Sequence, residues 1–326
     1  MKSVMTEQVS GLAKAWSWIR QQGNPVFNIY TAIIVLVVVA SFLSPTFLSS
    51  TNIFNVLRQA SALGIISVGM TYVILSGNGG VDLSVGAVVS LTTCLAAGIM
   101  MGETSAVMPA VLIVLVVGMA IGLFNGLLIT RFATDPFITT LGTMTVVQGI
   151  AMYYTQGSPF GSTPSGFRYI AEGYIGLVPV PVVIFLIIFG IGLWVMRKTI
   201  FGRYIYAIGG NQEVARLSGI KVNKYKIAVY VISSLLATVA GLILVARVSL
   251  GDPKLGYGFE LDAIAAVIIG GTSFAGGVGG MGGTIIGVMI IAIMNNLLNL
   301  MDVSPFLHGV VKGLIILAAI IMQKKR

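Results

Sequence analysis

The chain has 326 residues, of which 56% are hydrophobic and only 9% charged. Soluble domains carry about 25% charged side chains, so the composition excludes an ordinary soluble enzyme or nucleic-acid-binding domain despite a formal net charge of +9. The basic residues fall before, between and after apolar runs, so the charge reports membrane topology and not an acidic ligand.

Residues 1–24 read as a polar cytoplasmic arm, with Trp16, Trp18 and Ile19 beside Lys14 and Arg20 as an interfacial anchor. Residues 25–326 read as the transmembrane domain. Its first span, Phe27 to Leu43, is followed by Ser44-Pro45 and not by a small-residue cleavage site, so it is expected to stay uncleaved. Thr51 to Gln59 is expected as an amphipathic outer helix, capped by Thr51 or Asn52 and leading into span 2, Ala62 to Leu75. Span 3 opens at Asp82-Leu83-Ser84 and runs to Met101. Span 4, Val107 to Ile129, carries Gly118, Gly122 and Gly126 at spacing four, a ridge that lets helix backbones approach closely in lipid. Span 5 runs from Pro136 to Tyr154, and Gly157 to Pro179 forms the longest outer loop.

Span 6, Val180 to Met196, returns to the inner side. Span 7 is expected over Ile227 to Leu250, span 8 from Glu260 to about Thr272, span 9 over Gly283 to Leu300 and span 10 over Phe306 to Met322. The fold class is therefore all-α: a polytopic integral membrane protein of about ten transmembrane helices with both termini cytoplasmic. Each span must be helical, because lipid offers no partner for free backbone groups. Several are shorter than the roughly 20 residues a simple span needs. Short, glycine-interrupted segments mark broken helices along a transport path. A 5+5 division would make the two halves inverted repeats, with Asp82 and Asp262 each opening a third span.

Between spans 6 and 7 lies the longest polar interval, Arg197 to Lys226, with seven basic residues and one acid, Glu213. Excess Lys and Arg in a short loop marks the cytoplasmic side. Within it, Gly209-Gly210-Asn211 is a turn signal and Asn211 an N-cap. Glu213 falls in the first turn of the helix that follows, and Gly219 is its C-cap. The pattern predicts a short helix over Gln212 to Ser218, lying along the membrane surface.

The run from Gly202 to Ile220, GRYIYAIGGNQEVARLSGI, resembles the cytoplasmic coupling segment of sugar-importer permeases, the ribose type of the ribose/branched-chain amino acid permease family. Gly80-Val81-Asp82-Leu83-Ser84-Val85-Gly86 and the run Glu260 to Ser273 resemble the same family, in the same order and spacing. The chain departs from it at Ser76-Gly77-Asn78-Gly79-Gly80, which is longer and adds an amide. The resemblance implies a non-catalytic permease domain in the inner membrane and a separate cytoplasmic ATPase docked on the coupling segment. It also implies a periplasmic or extracellular sugar-binding protein and a second permease subunit, a homodimer being expected. Gly210, Asn211, Glu213, Arg216, Leu217, Ser218 and Gly219 would then couple the ATPase to the bundle.

Residues for the substrate pathway or gate are Asn78, Asp82, Ser84, Asn125, Asp262, Asn295 and Asn299. Asp82 and Asp262 each precede an apolar helix, where the helix dipole favours the ionised form. Amides inside spans face protein or water, and Asn295 and Asn299, four apart, share one helix face. Neutral donors and acceptors of this kind suit a hydroxylated solute. His308 and Lys312 share a face near the outer end of span 10, where Lys312 is expected to snorkel outward. Cys94 is the only cysteine, and no phosphate-binding loop motif is present, so no cofactor or metal is expected and ATP hydrolysis falls to a partner. A self-sufficient secondary transporter would need an ion site at mid-membrane, and a serine protease would need Ser273 beside His308. Other small solutes, such as branched-chain amino acids, stay open as cargo.

Overall fold

A computed structural model describes residues 25–304 and 307–314. The expected arm 1–24 and the end of span 10, with Lys324, Lys325 and Arg326, lie outside the described residues. The helices are α1 Pro25–Leu43, α2 Ser50–Leu75, α3 Val85–Met100, α4 Val107–Arg131, α5 Pro136–Thr155, α6 Tyr169–Glu172 and α7 Val180–Lys198. They continue as α8 Ile200–Gly210, α9 Gln212–Leu217, α10 Val222–Val248, α11 Phe259–Ile269 and α12 Met281–Leu300. A last helix, α13, covers 307–314. The only strands among the described residues are β1 (Tyr174–Ile175) and β2 (Val178–Pro179), a two-stranded hairpin.

Five helical segments, Ser50–Leu75, Thr104–Arg131, Val180–Lys198, Val222–Val248 and Met281–Leu300, are long and apolar enough to cross a membrane. Ile33–Leu43 and Val85–Met100 are shorter apolar helices. The core forms around α2 and α10. Every residue from Ala60 to Gly77 is buried, and α10 packs along α2, α3 and α4. The outer faces of α4 and α7 instead leave Leu112, Val116, Leu186, Ile191 and Trp194 exposed. An apolar face of that width suits lipid and not water.

The glycine ridge on α4 finds its partner within the chain. A Cβ added at Gly118 would collide with the Thr238 hydroxyl. One at Gly122 would lie 2.5 Å from the Tyr230 carbonyl oxygen, and one at Gly126 would lie 2.8 Å from the Ile227 Cα. Small residues thus bring the α4 and α10 backbones into contact.

Four expectations are corrected. The outer amphipathic helix and span 2 are one helix, Ser50–Leu75, capped by Ser49, whose Oγ accepts from the Asn52 amide at 3.3 Å. No helix breaker separates the two stretches, so the turn ladder runs through. Span 7 starts at Val222, and the polar interval before it contains a helix of its own, Ile200–Gly210. Span 8 is broken. Its helical part, Phe259–Ile269, has 11 residues and so reaches only about 16 Å at about 1.5 Å per residue, against a hydrocarbon core of about 30 Å. The chain before it runs down the flank of α3: Thr93 Oγ1 donates to the Asp252 carbonyl at 3.1 Å, and the Gly256 amide donates to Ser90 Oγ at 3.0 Å. Finally, Lys312 does not snorkel outward but turns into the bundle.

Candidate functional site

The end of the bundle that carries the polar interval, here the basic end, is built as an elbow. Thr199 opens α8 by accepting the Gly202 amide at 3.4 Å, and Ile205 and Ile208 bury one face of that helix. Asn211 then opens α9, its Oδ1 accepting from the amides of Glu213 and Val214, both at 3.0 Å. The side chain satisfies donors that the helix start leaves free. Gly219 follows with φ +83°, the left-handed turn that ends the helix. The expected helix is therefore present, one residue shorter at its end. Ala215 is buried against Ile208 and Val222, while Val214 and Leu217 are 57% and 80% exposed. Glu213 and Arg216 pair at 3.3 Å on the exposed side.

Two loops meet this elbow at backbone distance. A Cβ on Gly209 would collide with the Leu75 carbonyl oxygen and lie 2.5 Å from the Gly277 amide nitrogen. Gly77, held at φ +71° in the loop between α2 and α3, packs against Gly209. Gly276 packs on Gly77, and the Gly277 amide donates to the Leu75 carbonyl at 3.1 Å. The Tyr206 hydroxyl adds a bond to the Gly279 carbonyl at 2.9 Å. Burial raises the Tyr206 phenol above its ordinary value, and nearby Arg197 draws it partly back. It is thus a donor at neutral pH. The elbow, the α2–α3 loop and the α11–α12 loop form one glycine-lined junction.

Beyond this junction the α2–α3 loop dives into the bundle. Asp82 is fully buried, and its Oδ1 accepts from Ser84 Oγ at 2.6 Å and the Ser84 amide at 3.1 Å. Asn125 Nδ2 donates to Ser84 Oγ at 2.9 Å. Asp82 Oδ2, Asn125 Oδ1, Ser233 Oγ and Ser234 Oγ are buried without a partner among the described residues. Asp82, Ser84 and Asn125 are thus brought together, whereas Asn78 stays at the surface. Asp82 is not a helix cap in the usual sense, because it holds the turn three residues before α3 begins.

The second cluster joins three helices. Asp262 Oδ2 accepts from Lys312 Nζ at 2.8 Å and from Asn295 Nδ2 at 3.2 Å, linking α11, α13 and α12. Asp262 Oδ1 and Asn295 Oδ1 have no partner among the described residues. Asn299 lies one turn further along α12 and is exposed, outside the cluster. Asn296 faces another way and exchanges two hydrogen bonds with Asn52, at 2.8 and 3.0 Å. The sequence reading missed the Lys312–Asp262 pair. The signal was there, since a cation inside an apolar span demands a counter-charge and span 8 opens with two acids, Glu260 and Asp262.

None of this is a catalytic arrangement. Ser273 lies in the α11–α12 loop at the basic end, while His308 Nε2 meets the Val303 carbonyl at 3.1 Å, near the far end of α12. No group of three His, Cys, Asp or Glu side chains able to hold a metal occurs among the described residues. The geometry offers buried polar clusters beside broken helices, tied to an exposed elbow.

Comparison with known proteins agrees. No solved structure matches the chain. The ribose import permease protein RbsC of Bacillus subtilis (strain 168) is 45% identical over 300 residues, covering 91% of this chain and 92% of that protein. RbsC of Escherichia coli (strain K12) is 44% identical over 331 aligned positions, covering 98% and 99%. The galactose/methyl galactoside import permease protein MglC of the same strain is 37% identical over 314 positions, covering 91% and 93%. A family model described as branched-chain amino acid transport system, permease component, matches residues 52–320, and with the elbow and the broken helices in view, the chain belongs to that family of multi-pass membrane permeases.

Proposed function

We propose that the chain imports ribose or a closely related pentose as the non-catalytic permease subunit of an ATP-driven importer. The basic end faces the cytosol, with both termini on that side, and the protein sits in the inner membrane. A separate ATPase docks on α9, a sugar-binding protein delivers cargo at the opposite face, and a second copy of the chain completes the pathway. One observation carries the coupling part of this reading. Val214 and Leu217 are exposed on α9, and Gly209, in the helix just before it, meets at backbone distance both the α2–α3 loop that leads into the Asp82 cluster and the α11–α12 loop. The cargo assignment rests on the names of the relatives, since ribose permeases are more similar to this chain than the galactose permease.

In this scheme the ATPase shifts the elbow, the glycine junction passes the shift to the ends of α2, α11 and α12, and the polar clusters open or close the path. The inverted 5+5 arrangement would make the Asp82 and Asp262 segments counterparts on the two sides of that path. Reconstitution with the ATPase and binding protein in liposomes tests the reading through radiolabelled sugar uptake. Ribose should enter only with ATP, and galactose and xylose more slowly. Leu217→Asp should abolish uptake while leaving insertion intact. Uptake by the chain alone, driven by an ion gradient, would instead establish a secondary transporter.

A further inference from the structure

A small cavity of about 140 Å³ lies under α9 at the basic end, bounded by Asn78, Thr134, Gln212, Arg216, Asn223 and Lys226. It brings together the α2–α3 loop, the α4–α5 turn, the elbow and the first turns of α10. Its volume is well below the roughly 300 Å³ of sites for drug-sized ligands, so it fits one small group.

Lys226 is only 4% exposed, yet forms no hydrogen bond or ion pair with any described residue. A buried ammonium without a counter-charge is strongly disfavoured. Two further features worsen its position. Arg216 lines the same cavity, and Lys226 sits one turn inside the N-terminus of α10, the positive end of a 27-residue helix. The acids on the adjoining segments are engaged elsewhere. Glu213 pairs with Arg216 on the exposed face, and Asp135 caps α5 through the amides of Phe137 and Ile138. Around the cations stand the amides of Asn78, Asn223 and Gln212 and the hydroxyl of Thr134. An unpaired ammonium and a guanidinium shared with Glu213, with neutral polar groups around a one-group cavity, have the chemistry of an oxyanion site.

We infer that this cavity binds a single small oxyanion, a phosphate or carboxylate group, between Lys226 and Arg216. The anion neutralises the buried lysine and braces α9 against α10 and the α2–α3 loop. It comes either from free phosphate in solution or from an acidic side chain of the docked ATPase. Only the second source rests on the docking reading, and the site itself does not.

The test uses full-length permease in nanodiscs of neutral lipid, in phosphate-free buffer, titrated with inorganic phosphate by calorimetry while Tm is followed by tryptophan fluorescence. One equivalent should bind per chain and Tm should rise. Lys226→Met keeps the length of the side chain and removes the unpaired charge, so it should fold with an undiminished Tm and bind phosphate at least tenfold more weakly. Asn223→Ala, at the exposed rim, should weaken binding severalfold and guards against a folding defect in the first variant. Absence of saturable binding, or binding undiminished in both variants, overturns the site. Repeating the titration with the ATPase docked separates the sources, and both of its results uphold the site. Phosphate heat abolished by docking, together with weaker docking of Lys226→Met, identifies a partner carboxylate. Phosphate binding unchanged by docking identifies the free ion.

Discussion

Replacing Lys312 with Met leaves the Asp262 carboxylate buried with only an amide donor, Asn295, at 3.2 Å. The lost contact is 2.8 Å long between side chains that are 19% and 9% exposed. At an effective permittivity of about 20, two unit charges at that distance attract by about 6 kcal/mol. Desolvation of both ions offsets most of this, so the pair contributes little relative to an apolar pair of the same shape. The single replacement is different, because it keeps the desolvation of Asp262 and removes its compensation, which costs about 3–5 kcal/mol. Lys312→Met should therefore lower stability by that amount, Asp262→Leu by a similar amount, and the double variant should recover to within about 2 kcal/mol of wild type. The cycle is measured by steric trapping or denaturing-detergent titration in bicelles. A single-variant cost below about 1 kcal/mol, the range of solvent-exposed pairs, would refute the reasoning, as would additive losses in the double variant.

Four other outcomes follow from packing and helix propensity. Gly209→Ala places a methyl on the Leu75 carbonyl and against Gly277. ATP-driven uptake should fall at least about tenfold, a loss of about 1.4 kcal/mol of coupling, with normal insertion and ATPase binding by co-purification. Asn52→Leu or Asn296→Leu alone should cost about 1–3 kcal/mol by stranding the opposite amide, whereas the double replacement should recover most of that cost in the same unfolding assay, but not the bond Asn52 also gives the Phe47 carbonyl at 2.9 Å. Gly122→Leu overpacks the α4–α10 contact and should cost about 1–3 kcal/mol. Gly142→Ala, where an added Cβ meets nothing within 4 Å, should be stabilising by up to about 1 kcal/mol through helix propensity, and thermal melts distinguish the two.

Periodic and chemical signals made much of the fold legible. The ends of α4, α5 and α7 follow from Pro136, the outer loop and Arg197-Lys198, and the α9 helix from Asn211 and Gly219. What escaped depends on contacts between distant segments. The α8 helix was hidden because Gly209 and Gly210 read as turn residues, whereas tertiary packing of Ile205 and Ile208 holds them helical. The break in span 8 left only a weak trace, since the extended chain before Phe259 is stabilised by Ser90 and Thr93 on another helix. Of the pathway residues, Asp82, Ser84 and Asn125 share one cluster and Asp262 and Asn295 another, but Asn78 and Asn299 belong to neither. Periodicity places a side chain on a face, yet only the fold decides what that face meets.

The meeting of Gly77, Gly209 and Gly277 has a mechanical corollary. No side chain stands between these strands of main chain, so inward pressure on the elbow has no soft layer to compress and arrives undiminished at the ends of α2 and α12. Outward movement of α8 is opposed by the buried Ile205 and Ile208, by Phe201 against the rings of Tyr72 and Tyr225, and by the phenolic bond from Tyr206 to Gly279. The joint is therefore stiff in both directions, so a partner engaging it, as proposed, would move the elbow and the two loop ends as one piece.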